Sequence, residues 1–157
     1  MGSNAKRLVI GADDAGLPLK TIIKGYLDEH GVPYDDVGVE TPDATALGID
    51  YPDVAETAAI GIRDGRYDRG ILICGTGIGM AITANKVPGV RAAMCHDEAL
   101  ARNSREHNGA NVLTLGGKIP AELMRKIVTV WLASELTEDR HKRRVAKIDA
   151  IEREYRK

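Results

Sequence analysis

Strands that are apolar at every position need cover on both faces, and this chain carries several of them. Leu8-Val9-Ile10-Gly11-Ala12, Arg69 to Cys74, Val90 to Cys95 and Asn111 to Leu115 are short runs of this kind, with a weaker strand around Tyr34 to Val37. Segments of helical period separate them. From Pro18 to His30 the apolar residues Leu19, Ile22, Ile23, Tyr26 and Leu27 share a face, and Gly31 stops the helix. Further helices are predicted over Tyr51 to Asp64, Met80 to Asn85, Asp97 to Glu106 (capped by Asp97) and Pro120 to Leu132. A last segment, about Arg143 to Arg156, places Val145, Ile148, Ile151 and Tyr155 on one stripe. Strand and helix thus alternate five times. That pattern predicts a five-stranded parallel sheet between two helical layers, an α/β fold in three layers.

The 157 residues suffice for one such domain, and no linker, repeat or low-complexity stretch divides them. Residues 6–157 are read as that domain, and Met1 to Ala5 is given no weight, either a cloning remnant or a disordered stretch. With 22 basic side chains against 23 acidic ones, the net charge of -1 supplies no general attraction to nucleic acid or anionic membrane. The apolar runs are too short to cross a bilayer, and Asp13 arrives too early for a signal-peptide core. Two cysteines make no disulfide framework, so a cytoplasmic setting is expected.

In parallel sheets ligands bind beyond the carboxyl ends of the strands. The residues there are Asp13, Asp14, Cys74 to Gly79, His96, Asp97 and Gly116 to Lys118. Gly75-Thr76-Gly77-Ile78-Gly79 is the sharpest feature: alternate glycines after a buried strand let backbone N–H groups converge on a small anion. A tight strand-to-helix turn would look the same. A dinucleotide fingerprint fails because Met80 stands where glycine is needed, and no Walker lysine is present after it. Cys74 is either an inert core thiol or, beside those N–H groups, a thiolate able to act as a base. Cys95 lacks the glycines and is read as core, and His30 as structural. His107, where a helix gives way to a loop, is balanced between cap and catalytic acid. The run Arg140-His141-Lys142-Arg143-Arg144 is either a solvated face or a phosphate clamp. No spacing suits a metal site or a hydrolase triad.

Taken together, these segments resemble the type B ribose-5-phosphate isomerase family, which includes galactose-6-phosphate isomerase subunits. The resemblance rests on Gly70 to Gly79 and on Ala84-Asn85-Lys86-Val87-Pro88-Gly89-Val90-Arg91-Ala92. It is extended by Asp50-Tyr51-Pro52, Ser104-Arg105-Glu106-His107-Asn108, Asn111-Val112-Leu113 and Arg140-His141…Arg144, in family order from about Lys6 to Tyr155. It implies a Rossmann-like α/β/α sandwich with an extended C-terminal helix contributing to a homodimer, often paired again as a tetramer. It also implies aldose–ketose isomerisation of a sugar phosphate without metal or cofactor, in sites completed across the dimer.

By resemblance, His107 and Asp13 move the ring-opening protons, and Cys74 is the base that shuttles the proton between C2 and C1. Thr76 and the backbone of Gly75, Gly77, Ile78 and Gly79 stabilise the enediolate. Asn108 and Tyr51 position hydroxyls, while Arg140, His141 and Arg144 bind the phosphate. Two further binding positions depart from the family pattern. Asp14 stands where a phosphate-contacting His is usual, and Lys118 where ribose-5-phosphate enzymes carry Arg. Ribose 5-phosphate is the first expectation for the substrate. A tetrulose 4-phosphate, a hexose 6-phosphate, or a binding module without turnover remain alternatives.

Overall fold

A computed structural model describes residues 7–156; Met1 to Ala5, read as a cloning remnant or a disordered stretch, lie outside them. The apolar runs become β1 (Leu8–Ala12), β3 (Arg69–Cys74) and β5 (Val112–Gly116), with the shorter β2 (Tyr34–Asp36) and β4 (Ala92–Met94) at the edges. The order is β2-β1-β3-β5-β4, and every pairing is parallel. Successive side chains of the three central strands point to opposite faces. Leu8, Ile10, Ile71, Ile73, Leu113 and Leu115 pack with α1 (Leu17–Glu29), α4 (Glu98–Glu106) and α5 (Ala121–Ala133). Val9, Leu72, Cys74 and Val112 pack with α2 (Tyr51–Arg63) and α3 (Ile78–Ala84). The three-layer expectation therefore holds, and two aliphatic cores flank the sheet. Removing a side chain such as Leu72 would cost about 2–5 kcal/mol.

Three boundaries differ from those predicted. The β4 ladder is half the expected length, and at its leading end asparagine side chains take up backbone N–H groups. Asn85 Oδ1 accepts from Ala92 N–H at 2.8 Å, and Asn111 Oδ1 accepts from Arg91 N–H at 2.8 Å. The segment before Asp50, read as loop, contains a short 3-10 turn at Ala44–Leu47. The last helix, α6 (Asp139–Tyr155), starts before Arg143, so the basic run forms its first turns. His141 and Val145, four residues apart, are the buried contacts of that helix. Ion pairing and capping dock its far end: Asp149 meets Arg91 at 3.2 Å, and Glu152 accepts from Gly89 N–H at 3.0 Å.

Lys20, on α1, is 2% exposed, and sequence reasoning overlooked it. Its ammonium pairs with Asp36 at 2.9 Å and donates to Val39 O, while Lys24 pairs with the same carboxylate. A buried lysine needs such complete partnering. The cluster fixes the chain leaving β2, whose Val39 N–H also donates to Ala12 O at the end of β1.

Candidate active site

The chain leaves β1 to pair with β2 on one side and returns to place β3 on the other, so the crevice of this sheet opens where β1 and β3 end. Asp13 and Cys74 occupy those two ends, and Asp13 N–H donates to Ile73 O at 3.3 Å. Together with Tyr51, Gly75, Thr76, Ile78, Gly79 and Ile82 they line a cavity of about 390 Å³.

The loop around the thiol is built from the backbone. Cys74 is 4% exposed, and its Sγ accepts a hydrogen bond from Gly77 N–H at 3.2 Å. Gly77 sits at φ 82°, in the left-handed region, and a Cβ there would come within 2.9 Å of Leu115 backbone, so only glycine fits. Its carbonyl accepts from Thr114 Oγ1 at 2.8 Å. Thr114, the lone hydroxyl in an otherwise apolar β5, thus braces the loop from beneath, a role its odd polarity could have flagged. Thr76 is exposed, and its Oγ1 accepts from Ile78 N–H at 3.2 Å, fixing the turn into α3. Tyr51, at the start of α2, lays its ring against Gly79, where a Cβ would lie 2.6 Å from Cε2. Asp50 and Asp53 hold that helix start in a reciprocal capping box.

Asp13 is half-buried, and its Oδ1 accepts from Gly16 N–H at 3.0 Å. Burial pushes its carboxyl above the ordinary carboxylate value; the Gly16 N–H opposes this and the Asp14 charge adds to it. Asp14 itself is turned to another segment, with Oδ2 accepting from Thr45 N–H at 3.0 Å.

The remaining expected residues are elsewhere. His107 ends α4, on the side where β5 begins, so the five residues of that strand put about 13 Å between its level and that of Cys74. There its ring stacks on that of His141, with centroids 4.2 Å apart. His141 is 5% exposed; Arg144 Nη1 lies 3.5 Å from its Nδ1, and Nε2 has no hydrogen-bond partner among the described residues. Burial, then His107 and Arg140, push the His141 pKa below the usual histidine value. Arg140 is exposed and donates to Glu138 at 2.8 Å, and Asn108 is exposed beside His107.

Lys118 is exposed in the turn after β5, and His96 is exposed beside Asp97; neither lines the thiol cavity. Cys95 and His30 are structural: the thiol is buried, and the ring stacks on Tyr26. A larger cavity of about 480 Å³ lies between α4 and the α5–α6 connection, but Glu106, Glu135 and Glu138 line it. Carboxylates would repel a phosphorylated ligand there. Among the described residues no group of three or more His, Cys, Asp or Glu converges as a metal site, and no helix is long and apolar enough to cross a membrane. Ile82, the exposed apolar lip of the Cys74 cavity, was not singled out by sequence reasoning.

A doubly wound parallel sheet with a thiol, a carboxylate and a glycine loop at its switch point defines a Rossmann-like protein suited to proton transfer on a small ligand. The chain belongs to the Ribose/Galactose Isomerase family, which matches residues 8–148. It is 47% identical over 129 residues to D-erythrulose-4-phosphate isomerase of Pectobacterium atrosepticum, covering 82% of this chain and 83% of that one. It is 41% identical over 148 residues to ribose-5-phosphate isomerase B of Escherichia coli, covering 94% and 97%. The structure of ribose-5-phosphate isomerase B from Mycoplasma genitalium with bound ribulose-5-phosphate superposes with a TM-score of 0.87. That protein is 38% identical, and the match covers 96% of this chain and 98% of that one.

Proposed function

We propose that this chain is an aldose–ketose isomerase of a phosphorylated sugar, with ribose 5-phosphate to ribulose 5-phosphate as the first reaction to test. The observation carrying this reading is the Cys74 Sγ in a cavity it shares with Asp13 and Tyr51, held by a backbone N–H. Asp13 and His107 transfer the protons that open the sugar ring. Cys74 then removes the proton on C2 and leaves an enediolate; the thiol, in exchange with solvent, delivers a proton to C1, while the hydroxyl proton on O2 ends on O1. Thr76 and the N–H groups of the glycine loop bear the developing charge, where each donor is worth several kcal/mol. Tyr51 and Asn108 orient hydroxyls, and Arg140, His141 and Arg144 hold the phosphate.

Those last groups and Cys74 lie at opposite ends of the sheet, which supports a site completed by a second copy. In the proposed homodimer, α6 of one subunit brings its basic turns to the thiol cavity of the other, and dimers pair further into tetramers. The exposed Ile148, Ile151 and Tyr155 give α6 an apolar face for that contact. The reaction is assigned to side chains alone, with neither metal nor cofactor. Lys118, exposed after β5, is assigned to the phosphate as a point charge. The enzyme is assigned to the cytoplasm.

The kinship to an erythrulose-phosphate isomerase and the Asp14 departure favour a second reading, the same chemistry on a four-carbon sugar phosphate. Steady-state isomerisation of four-, five- and six-carbon sugar phosphates in chelator-treated buffer separates these. Turnover of at least one is expected. Binding of all without turnover would reduce the protein to a sugar-phosphate-binding module, and turnover that returns only with an added divalent ion would overturn the metal-free reading.

A further inference from the structure

The carboxylate of Asp14 is already engaged within the chain. Its Oδ2 accepts the Thr45 N–H, and its Oδ1 is buried without a partner among the described residues. Thr45 belongs to the Ala44–Leu47 turn, whose backbone hydrogen bonds run from Ala46 to Asp43, from Gly48 to Thr45 and from Ile49 to Ala44. Among the described residues, the bond to Asp14 is therefore the one hydrogen bond fastening this turn to another element. Packing does little more, since Ala44 is the turn's sole buried residue while Leu47 is 73% exposed.

The two segments joined by this bond both lead to the cavity. Asp14 comes directly after Asp13, one wall, and the turn runs through Asp50 into Tyr51, another. A carboxylate that holds an N–H with one oxygen, and whose other oxygen is closed to solvent, is not presented to a sugar or its phosphate. We propose that Asp14 is a positioning residue: by tying Thr45 to the end of β1 it sets the separation of the Asp13 and Tyr51 walls, and so selects the size of sugar admitted without touching it. The kinetic part rests on the isomerase reading; the tie itself does not.

Two variants separate the tie from the charge. Asp14→Asn keeps an oxygen to accept the Thr45 N–H and loses the charge, whereas Asp14→Ala loses both. Hydrogen exchange at the Thr45 amide is expected to stay slow in the Asn variant and to become fast in the Ala variant. KM for the preferred sugar phosphate should stay within about twofold in the first and rise about tenfold in the second, the scale of one hydrogen bond. The preference among four-, five- and six-carbon substrates should narrow in the Ala variant alone, with kcat much less affected.

A slow Thr45 amide in Asp14→Ala would overturn the tie. Equal KM increases in both variants, with Thr45 still protected in Asp14→Asn, would show that the charge acts on substrate directly. An unchanged KM and preference in Asp14→Ala, despite fast exchange, would overturn the link to sugar size. A wild-type chain inactive on all three sugars would sink the isomerase reading instead, and the exchange experiment would still decide the tie.

Discussion

At the carboxyl end of β3 the loop around the thiol is shaped by backbone, while the level at which β5 begins gathers side chains carried on α4 and α6. The first region is locked by short-range geometry. The left-handed, crowded position of residue 77 accepts only glycine, Thr114 braces the Gly77 carbonyl, and the Cys74 Sγ accepts the Gly77 N–H. The second depends on how a terminal helix docks: His107 meets His141 only because the first turn of α6 lands where α4 ends. The docking contacts of α6 include partly exposed ion pairs such as Arg91 with Asp149, which contribute about 1 kcal/mol or less. Charge stabilisation at fixed donors suits a rigid loop, because donors aimed in advance need no reorganisation as charge develops.

The largest expected effect comes from the rigid end. Cys74→Ala should lower proton exchange at C2 by about 10³-fold, the range of a lost general base, while sugar phosphate still binds. Near-normal exchange in that variant, monitored by deuterium wash-in, would move the base to Asp13. Next is the separation of the two ends. A random mixture of dimers formed from Cys74→Ala and His107→Ala chains should recover about a quarter of wild-type turnover, since half of its dimers are mixed and each mixed dimer rebuilds one of two sites. No recovery above the parent variants would mean that the two ends do not meet across subunits.

The basic turns should show a smaller, selective loss. Arg144→Ala is expected to raise KM for a phosphorylated sugar by about 10- to 100-fold, as for a lost charge-assisted bond, with residual turnover of the unphosphorylated sugar unchanged. Equal effects on both would make the run a solvated helix face. The smallest effect is on stability. Because the folded state holds the His141 pKa below its unfolded value, the unfolded chain takes up that proton first as pH falls. Stability should therefore decline as pH drops below about 6.5 and stop declining once the lower folded pKa is passed. Denaturant titrations of His141→Gln should show a shallower decline over that window, and an identical slope would place the acid sensitivity elsewhere.

Much of this molecule is already written in the linear chain. Runs such as Ile71-Leu72-Ile73-Cys74 bury both faces and so call for a parallel sheet with helices on either side. The carboxyl-end rule then leads straight to Asp13, Cys74 and the glycines. These are local properties: the period of the apolar residues, and the residue types that come directly after a strand. Strand order, the direction in which α4 returns and the place where α6 lands are set by contacts far apart in sequence, and no spacing encodes them. That is why the side chains gathered at the beginning of β5 are reached through resemblance and not through the strand-end rule, and why the run around His141 reads equally as a solvated face or a phosphate clamp until the fold shows that ring buried. Asp14 makes the same point at the smallest scale. Its sequence neighbours place it beside the site, but a backbone N–H 31 positions away takes up its carboxylate, and only the tertiary structure brings that donor within 3.0 Å.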